Sequence, residues 1–301
     1  MKRLLKIGKP ASCALRGFSR GLIGLAAYAV LSSSCQAGEP FFVTYTSHME
    51  ELNELEINVK SLVGSPSGAN RFGATALEFE YGAKSWWTTE LYLDGQATAN
   101  QGALFTGYRW ENRFKVLPGQ HWINPVLYFE FEDLNDADKV LLEVVGHDTK
   151  HDFAAPNDLA KQSRRRELEN KLILASYFKG WTLSENLIAE KDFTSGHWEF
   201  GYTAAIGRPL SRKPGQCGFC AQSFQVGVEV YGGLGTTSEL WLHDTSHYIA
   251  PVVTWSSRGT TVRISPTFGA NDNSAHFLLR FGVSHEIDGF GRAVGRLFHR
   301  P

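Results

Sequence analysis

Charged side chains recur at alternate positions in several segments of this chain. Glu78 and Glu80 are two positions apart, and Arg109, Glu111 and Arg113 repeat the same spacing. Carboxylates and guanidinium groups on one face can form ion pairs or, where carboxylates are in excess, a surface that attracts cations. The residues predicted to form such a surface are Glu78, Glu80, Glu90, Asp94, Arg109, Glu111, Arg113, Glu130 and Glu132.

Apolar residues occupy the positions between these charges. Leu77, Phe79 and Tyr81 alternate with the two glutamates of the first segment. A period of two is the period of a β-strand, so each such segment has one apolar face and one charged or small face. The predicted strands are Phe41–His48, Asn53–Val63, Ala74–Ala83, Trp86–Ala97, Ala103–Lys115, Trp122–Asp133, Arg166–Lys179, Trp181–Asp192, His197–Arg208, Gln222–Leu234, Tyr248–Ser256, Thr260–Phe268 and Ala275–Ile287.

Two of these segments depart from the alternation. Glu185 falls on the apolar side of Trp181–Asp192, which predicts a β-bulge or a different register there. Tyr248–Ser256 is apolar on both faces and contains Pro251, which cannot donate a backbone hydrogen bond.

The first 37 residues are typical of a secretion signal. A basic lead precedes the apolar run Leu22–Leu31, and small residues follow it. We expect cleavage after Ala37 in preference to lipidation of Cys35. Cys217 and Cys220 would remain in the exported chain, where an oxidising compartment favours a small structural disulfide between them.

The predicted connections between strands alternate in length. Bacterial membrane barrels have short turns at one end and long loops at the other. A barrel from 53 to 287 has about twelve strands, and a count of up to 14 stays open. It places its longest connection, 134–165, among the external loops. Residues 38–52 would then be a lead-in or part of a plug, and 288–301 a tail.

Tryptophans mark the ends of the predicted strands. Trp86, Trp122 and Trp181 lie at strand starts, where aromatic girdles meet the membrane interfaces. The alternation, the girdles and the complementary charges resemble Gram-negative outer-membrane β-barrels of the porin and substrate-channel type, over about residues 53–287. The resemblance implies an all-β, closed, antiparallel up-and-down transmembrane barrel with a charged lumen. It also implies export through the periplasm and insertion into outer-membrane lipid by the barrel-assembly machinery.

Other chemistries find less support in the sequence. His147 and His151, with His243 and His247, repeat a His-Asp-Thr motif that could bind a transition metal, although chance recurrence in polar loops is the favoured interpretation. No nucleophile elbow, zinc-protease motif or phosphate loop is present, so we expect no enzyme activity and no cofactor. A net charge of -1 without a basic stripe argues against nucleic-acid binding.

Three functions are compatible with these features. The favoured hypothesis is a passive channel or transporter for a small polar or cationic solute. The second is a plugged structural or adhesive barrel of the cell envelope. The third is a soluble or lipid-anchored periplasmic β-protein whose charges face outward.

Overall fold

A computed structural model describes residues 38–146, 149–210, 223–242 and 244–298. Within these ranges, twelve antiparallel strands form a closed barrel in which each strand pairs with its sequence neighbours and β1 pairs with β12. The predicted all-β up-and-down barrel is therefore confirmed. The strands are β1 (Leu55–Gly64), β2 (Phe72–Lys84), β3 (Trp87–Thr98), β4 (Gly102–Lys115), β5 (Asn124–Asn135), β6 (Arg164–Phe178), β7 (Trp181–Asp192), β8 (Trp198–Pro209), β9 (Phe224–Thr236), β10 (His247–Ser257), β11 (Thr260–Gly269) and β12 (Phe277–Ile287).

The two faces of the barrel wall differ sharply in chemistry. On β3, Glu90 and Asp94 are each 1% exposed, whereas Leu91 and Leu93 are 42% and 38% exposed. A wall with buried carboxylates and exposed leucines is stable in contact with lipid, where an outward charge would be costly. The apolar face is therefore the outer surface, and the charges line the interior.

The two ends of the barrel also differ. At the end where β1 begins, two-residue turns join β6 to β7 and β10 to β11. Lys179 and Gly180, and Arg258 and Gly259, all have positive φ, as type I′ hairpin turns require. We call this the short-turn end. The opposite, long-loop end includes the connection between β5 and β6.

Two segments fill the interior of the barrel. We call residues 38–50, which precede β1, the lumen segment, and residues 136–146 and 149–163, between β5 and β6, the inserted loop. Phe41 and Phe42 of the lumen segment and Val140 and Leu142 of the inserted loop belong to one buried apolar cluster inside the wall. The barrel therefore has an internal core contributed by chain that is not part of its wall.

The helices are short. The inserted loop contains α1 (Thr149–Ala154) and α2 (Asn157–Ala160), and α3 (Phe290–Phe298) follows β12. In the part of the chain that the structure describes, no helix combines the length and hydrophobicity needed to cross a membrane.

Two expectations from the sequence need correction, and the apolar character of both faces of Tyr248–Ser256 is explained. Phe41–His48 is not a strand, because it runs through the lumen without a pairing neighbour. Glu185 causes no bulge, since β7 pairs without a register shift and Glu185 is exposed on the outer face. The inward side of β10 is apolar because Tyr248, Ala250 and Val252 join the internal core.

The bulges lie elsewhere, and one depends on a glycine. Gly107 pairs with Asp94 beside the register shift between β3 and β4, with φ 156°. A Cβ atom at Gly107 would lie 2.1 Å from the backbone oxygen of Asp133 on β5. Only a residue without a side chain allows β4 and β5 to approach this closely.

We predict that Gly107→Ala lowers the free energy of unfolding by about 1–3 kcal/mol, because the added methyl group forces two paired strands apart. Urea unfolding of the detergent-solubilised protein, followed by tryptophan fluorescence, measures this change. The matched control is Gly73→Ala on β2, where the nearest atom would be 4.0 Å from the new Cβ. Equal destabilisation by the two substitutions would contradict the assignment.

Candidate functional site

The lumen segment is bound to the wall through its backbone. One carboxylate, that of Glu229 on β9, accepts the backbone N–H groups of Phe42, Val43 and Thr44 at 2.9, 2.8 and 2.8 Å. Three charge-assisted hydrogen bonds to one buried carboxylate satisfy donors that would otherwise be orphaned in the interior. The glutamate thus replaces the neighbouring strand that this part of the chain lacks.

Side chains on three further strands complete this arrangement. The Asn186 side chain accepts the Tyr45 N–H at 2.8 Å and donates to the Tyr45 carbonyl at 3.0 Å. Thr254 donates to the Pro40 carbonyl at 2.7 Å, and Arg263 donates to that of Glu39 at 2.8 Å. The wall therefore recognises the lumen segment as an extended backbone.

Small residues on the inner wall make room for the aromatic rings of the lumen segment. Cβ atoms at Gly207 and Gly227 would lie 3.0 and 2.8 Å from the Phe41 ring, and one at Gly282 would lie 3.2 Å from the Phe42 ring. The two rings therefore occupy space that side chains at these three positions of β8, β9 and β12 would fill.

Arg113 holds the charged network at the short-turn half of the lumen. It is fully buried and forms ion pairs with Glu90 at 2.5 Å, Glu111 at 3.1 Å and Glu39 of the lumen segment at 3.3 Å. It also contacts Glu80. Several carboxylates around one guanidinium compensate the cost of burying it.

Further ion pairs extend this network along the wall. Arg109 pairs with Asp94 at 2.7 Å and Glu130 at 3.5 Å, and Lys60 pairs with Glu78 at 2.7 Å. The predicted cross-strand complementarity of Arg109 and Arg113 with the neighbouring carboxylates is therefore present in the structure.

Tyr45 connects the lumen segment to the same network. Its hydroxyl lies 2.9 Å from the Tyr92 hydroxyl and donates to Glu111 at 2.8 Å. Arg113 and Lys171 lie 5.1 and 5.0 Å from the centre of its ring, within cation–π range.

The inserted loop crosses the lumen near the long-loop end. Glu143 pairs with Lys171 on β6 at 3.1 Å, and Arg280 on β12 donates to the carbonyl of Leu141. Burial alone would raise the pKa of the Glu143 carboxyl, but Lys171 and Arg109 hold that pKa below its usual range. The loop is thus held between opposite sides of the barrel.

A cavity of about 520 Å³ lies between the inserted loop and the wall. Eight carboxylate residues and three basic residues line it. The lining of the cavity is therefore strongly acidic.

The other predicted sites lie partly beyond the described residues. His147, His243, Cys217 and Cys220 are outside the described ranges, as are the leader and Cys35. The backbone of His151 lies in α1. His247 begins β10, where its ring lies 2.7 Å from the Leu242 carbonyl and 3.1 Å from the Tyr202 hydroxyl. The metal and disulfide hypotheses stay predictions.

Sequence reasoning missed two residues that matter in the lumen. Glu190 on β7 is buried inside the barrel, and Glu143 reaches the lumen from a loop. Glu190 lies on the same face of β7 as the inward Ser184 and Asn186, so the alternation of this strand could have identified it. Glu143 has no such signal, because loop residues follow no period.

The known proteins that are similar to this chain are solved structures. No protein-family model and no curated protein matches the chain. Similar solved structures include an outer membrane channel from Pseudomonas putida F1, at 10% identity and a TM-score of 0.47, covering 80% of this chain and 98% of that one. The KdgM porin is 6% identical, with a TM-score of 0.45 and coverage of 77% and 98%. The NanC porin is 10% identical, with a TM-score of 0.45 and coverage of 77% and 100%.

These likenesses concern fold alone, because the identities are very low. The closed meander, the apolar outer surface and the charged interior are properties of this chain itself. In fold, the chain is a closed, twelve-stranded membrane β-barrel.

Proposed function

We propose that this barrel is a gated channel of the bacterial outer membrane for small polar or cationic solutes, closed at rest by its own lumen segment. The observation that carries the proposal is the way Glu229 holds residues 42–44. This contact joins a wall side chain to a backbone outside the sheet, so it can break without opening a strand pair.

The low energetic cost of releasing the lumen segment from the wall supports a gate. Each hydrogen bond between the lumen segment and the wall contributes about 0.5–1.5 kcal/mol net, or up to 3 kcal/mol where a charge takes part, because water can replace either partner. The twelve-strand ladder stays intact when these bonds are exchanged for water. A polar wall is stable when hydrated, whereas an apolar one would favour keeping its plug.

The charge of the wall supports the solute class. Among the buried residues on the inward face of the strands, thirteen carry carboxylates and six are lysine or arginine. Carboxylates lining a pore lower the energy of cations and repel anions. An opened lumen would therefore favour cationic or neutral polar solutes.

A plugged structural barrel is the second candidate, and the internal apolar core favours it. Phe41, Phe42 and Leu142 bury large apolar surfaces inside the lumen. Burial of a side chain of this size stabilises the closed state by about 1.5–3 kcal/mol each, which release would have to overcome. The two candidates differ in whether removal of the filling segments produces a current.

We predict that deletion of residues 38–50 increases single-channel conductance in a planar bilayer, because the deletion removes the chain that occupies the short-turn half of the lumen. Replacement of 138–160 by a short Gly-Ser linker in the same variant should increase it further. The unaltered protein should rarely open.

The variant Glu229→Gln should open more often than the exposed control Glu239→Gln. Folded but silent deletion variants would refute the gate and favour the structural barrel.

We also predict that Glu190→Gln lowers the cation-to-anion permeability ratio of the opened channel roughly two-fold, because it removes a negative charge from the lumen. Reversal potentials across a salt gradient measure the ratio. Glu185→Gln is the matched control, since it makes the same change on the same strand but on the lipid-facing side. If both variants behave alike, the lumen charge does not set selectivity.

A further inference from the structure

Three carboxylates on neighbouring strands converge beside the cavity under the inserted loop. Glu132 on β5 pairs directly with Glu167 on β6, and Glu190 lies on the adjacent strand β7. One carboxylate oxygen from each residue lies within 4.8 Å of the other two. All three side chains are buried, so bulk water screens their mutual repulsion poorly.

These carboxylates lack the compensation that the other lumen charges have. Glu132 is 5% exposed, and its Oε1 atom has no hydrogen-bond partner among the described residues. Within the described ranges, neither Glu132 nor Glu190 forms an ion pair within 4.0 Å, and Glu167 pairs with Arg165 only at 3.5 Å. An unpaired buried carboxylate is costly unless a counter-charge binds beside it.

The neighbouring basic residues are engaged elsewhere. Arg109 pairs with Asp94 and Glu130, and Lys171 pairs with Glu143 and Glu169. Of the three carboxylates, only Glu167 has a basic side chain within 4.0 Å among the described residues, and that residue, Arg165, also pairs with Asp136.

A second carboxylate triple in the lumen provides an internal comparison. Glu78, Glu80 and Glu90 are equally close to one another, but Lys60 pairs with Glu78 and Arg113 pairs with the other two. Protein cations already occupy that cluster. In the cluster of Glu132, Glu167 and Glu190 the oxygens lie within the same distance limit, but the only ion pair among the described residues joins Glu167 to Arg165 at 3.5 Å.

We infer that Glu132, Glu167 and Glu190 bind one divalent cation of the calcium type in the lumen wall. Calcium takes six to eight oxygen ligands at about 2.3–2.6 Å, so opposite ligands are up to about 5 Å apart, and the observed oxygen spacing fits within this limit. Water in the adjacent cavity supplies the remaining ligands. Carboxylates without histidine or cysteine select a hard cation over a transition metal.

The position of the site gives the ion a structural consequence. Glu132 also lies within 4.8 Å of Glu143 in the inserted loop and of Glu169 on β6. A divalent ion at Glu132 lowers the repulsion that acts on Glu143 and thereby stabilises the loop against the wall. This inference depends on the barrel fold and not on whether the lumen conducts.

The test is calorimetric titration of Ca²⁺ into the full-length, chelator-stripped protein in detergent, with Mg²⁺ as a competitor. We expect one Ca²⁺ per chain and a raised melting temperature on binding. Glu132→Gln and Glu190→Gln should each weaken binding roughly tenfold or more, because each removes a charged ligand. Glu78→Gln, from the cluster that Lys60 and Arg113 occupy, is the matched control and should bind as the unaltered protein does.

Heat-modifiable gel mobility verifies that each variant is folded. If Glu132→Gln does not fold, Glu190→Gln and the charge-conserving Glu132→Asp, which should retain part of the affinity, decide the question. Absence of saturable Ca²⁺ binding would overturn the inference and mean that protons neutralise the cluster. Equal loss of affinity in Glu78→Gln would also overturn it.

Discussion

The structure depends on the requirement that charges excluded from lipid find partners inside a narrow cylinder. An outer surface of leucine, valine and aromatic residues forces every second side chain of the wall inward. Six basic residues cannot neutralise thirteen inward-facing, buried carboxylates by pairing alone. Sharing of one guanidinium among several glutamates, as around Arg113, is the consequence.

The same requirement explains why the barrel is filled by irregular chain. A lumen segment without a pairing strand must satisfy its own backbone groups, and the wall offers many acceptors because it is rich in carboxylates. Glu229 and Asn186 meet this need with short, well-directed contacts. The segment in turn supplies backbone N–H donors to a carboxylate and aromatic rings to buried cations. Filling and wall therefore stabilise one another.

The wall could be predicted from the sequence because a strand has a strict period and its neighbours are sequential. The predicted bounds of the twelve wall strands lie within two residues of those observed, and the orientation of Arg109 and Arg113 follows from parity. The two segments that departed from the alternation have local explanations. Glu185 is a charged residue that faces outward, and the inner face of β10 is apolar because it packs against the internal core.

The contents of the lumen could not be predicted in the same way. Contacts such as Val43 to Glu229 join residues 186 positions apart and obey no periodicity. The inserted loop enters the barrel through single contacts, such as that of Leu141 with Arg280, and such contacts leave no pattern in the sequence. The acidic cluster under the loop forms only when β5, β6 and β7 are in register.

The contact between Glu229 and residues 42–44 has a consequence for how the sequence of this region can vary. A carboxylate that binds amide groups is indifferent to the side chains those amides carry, provided that none is proline. Recognition by Glu229 therefore places no restriction on the side chains at positions 43 and 44, which are restricted by their burial instead, since each is only 2% exposed. The acidic residue opposite them is fixed by the contact itself.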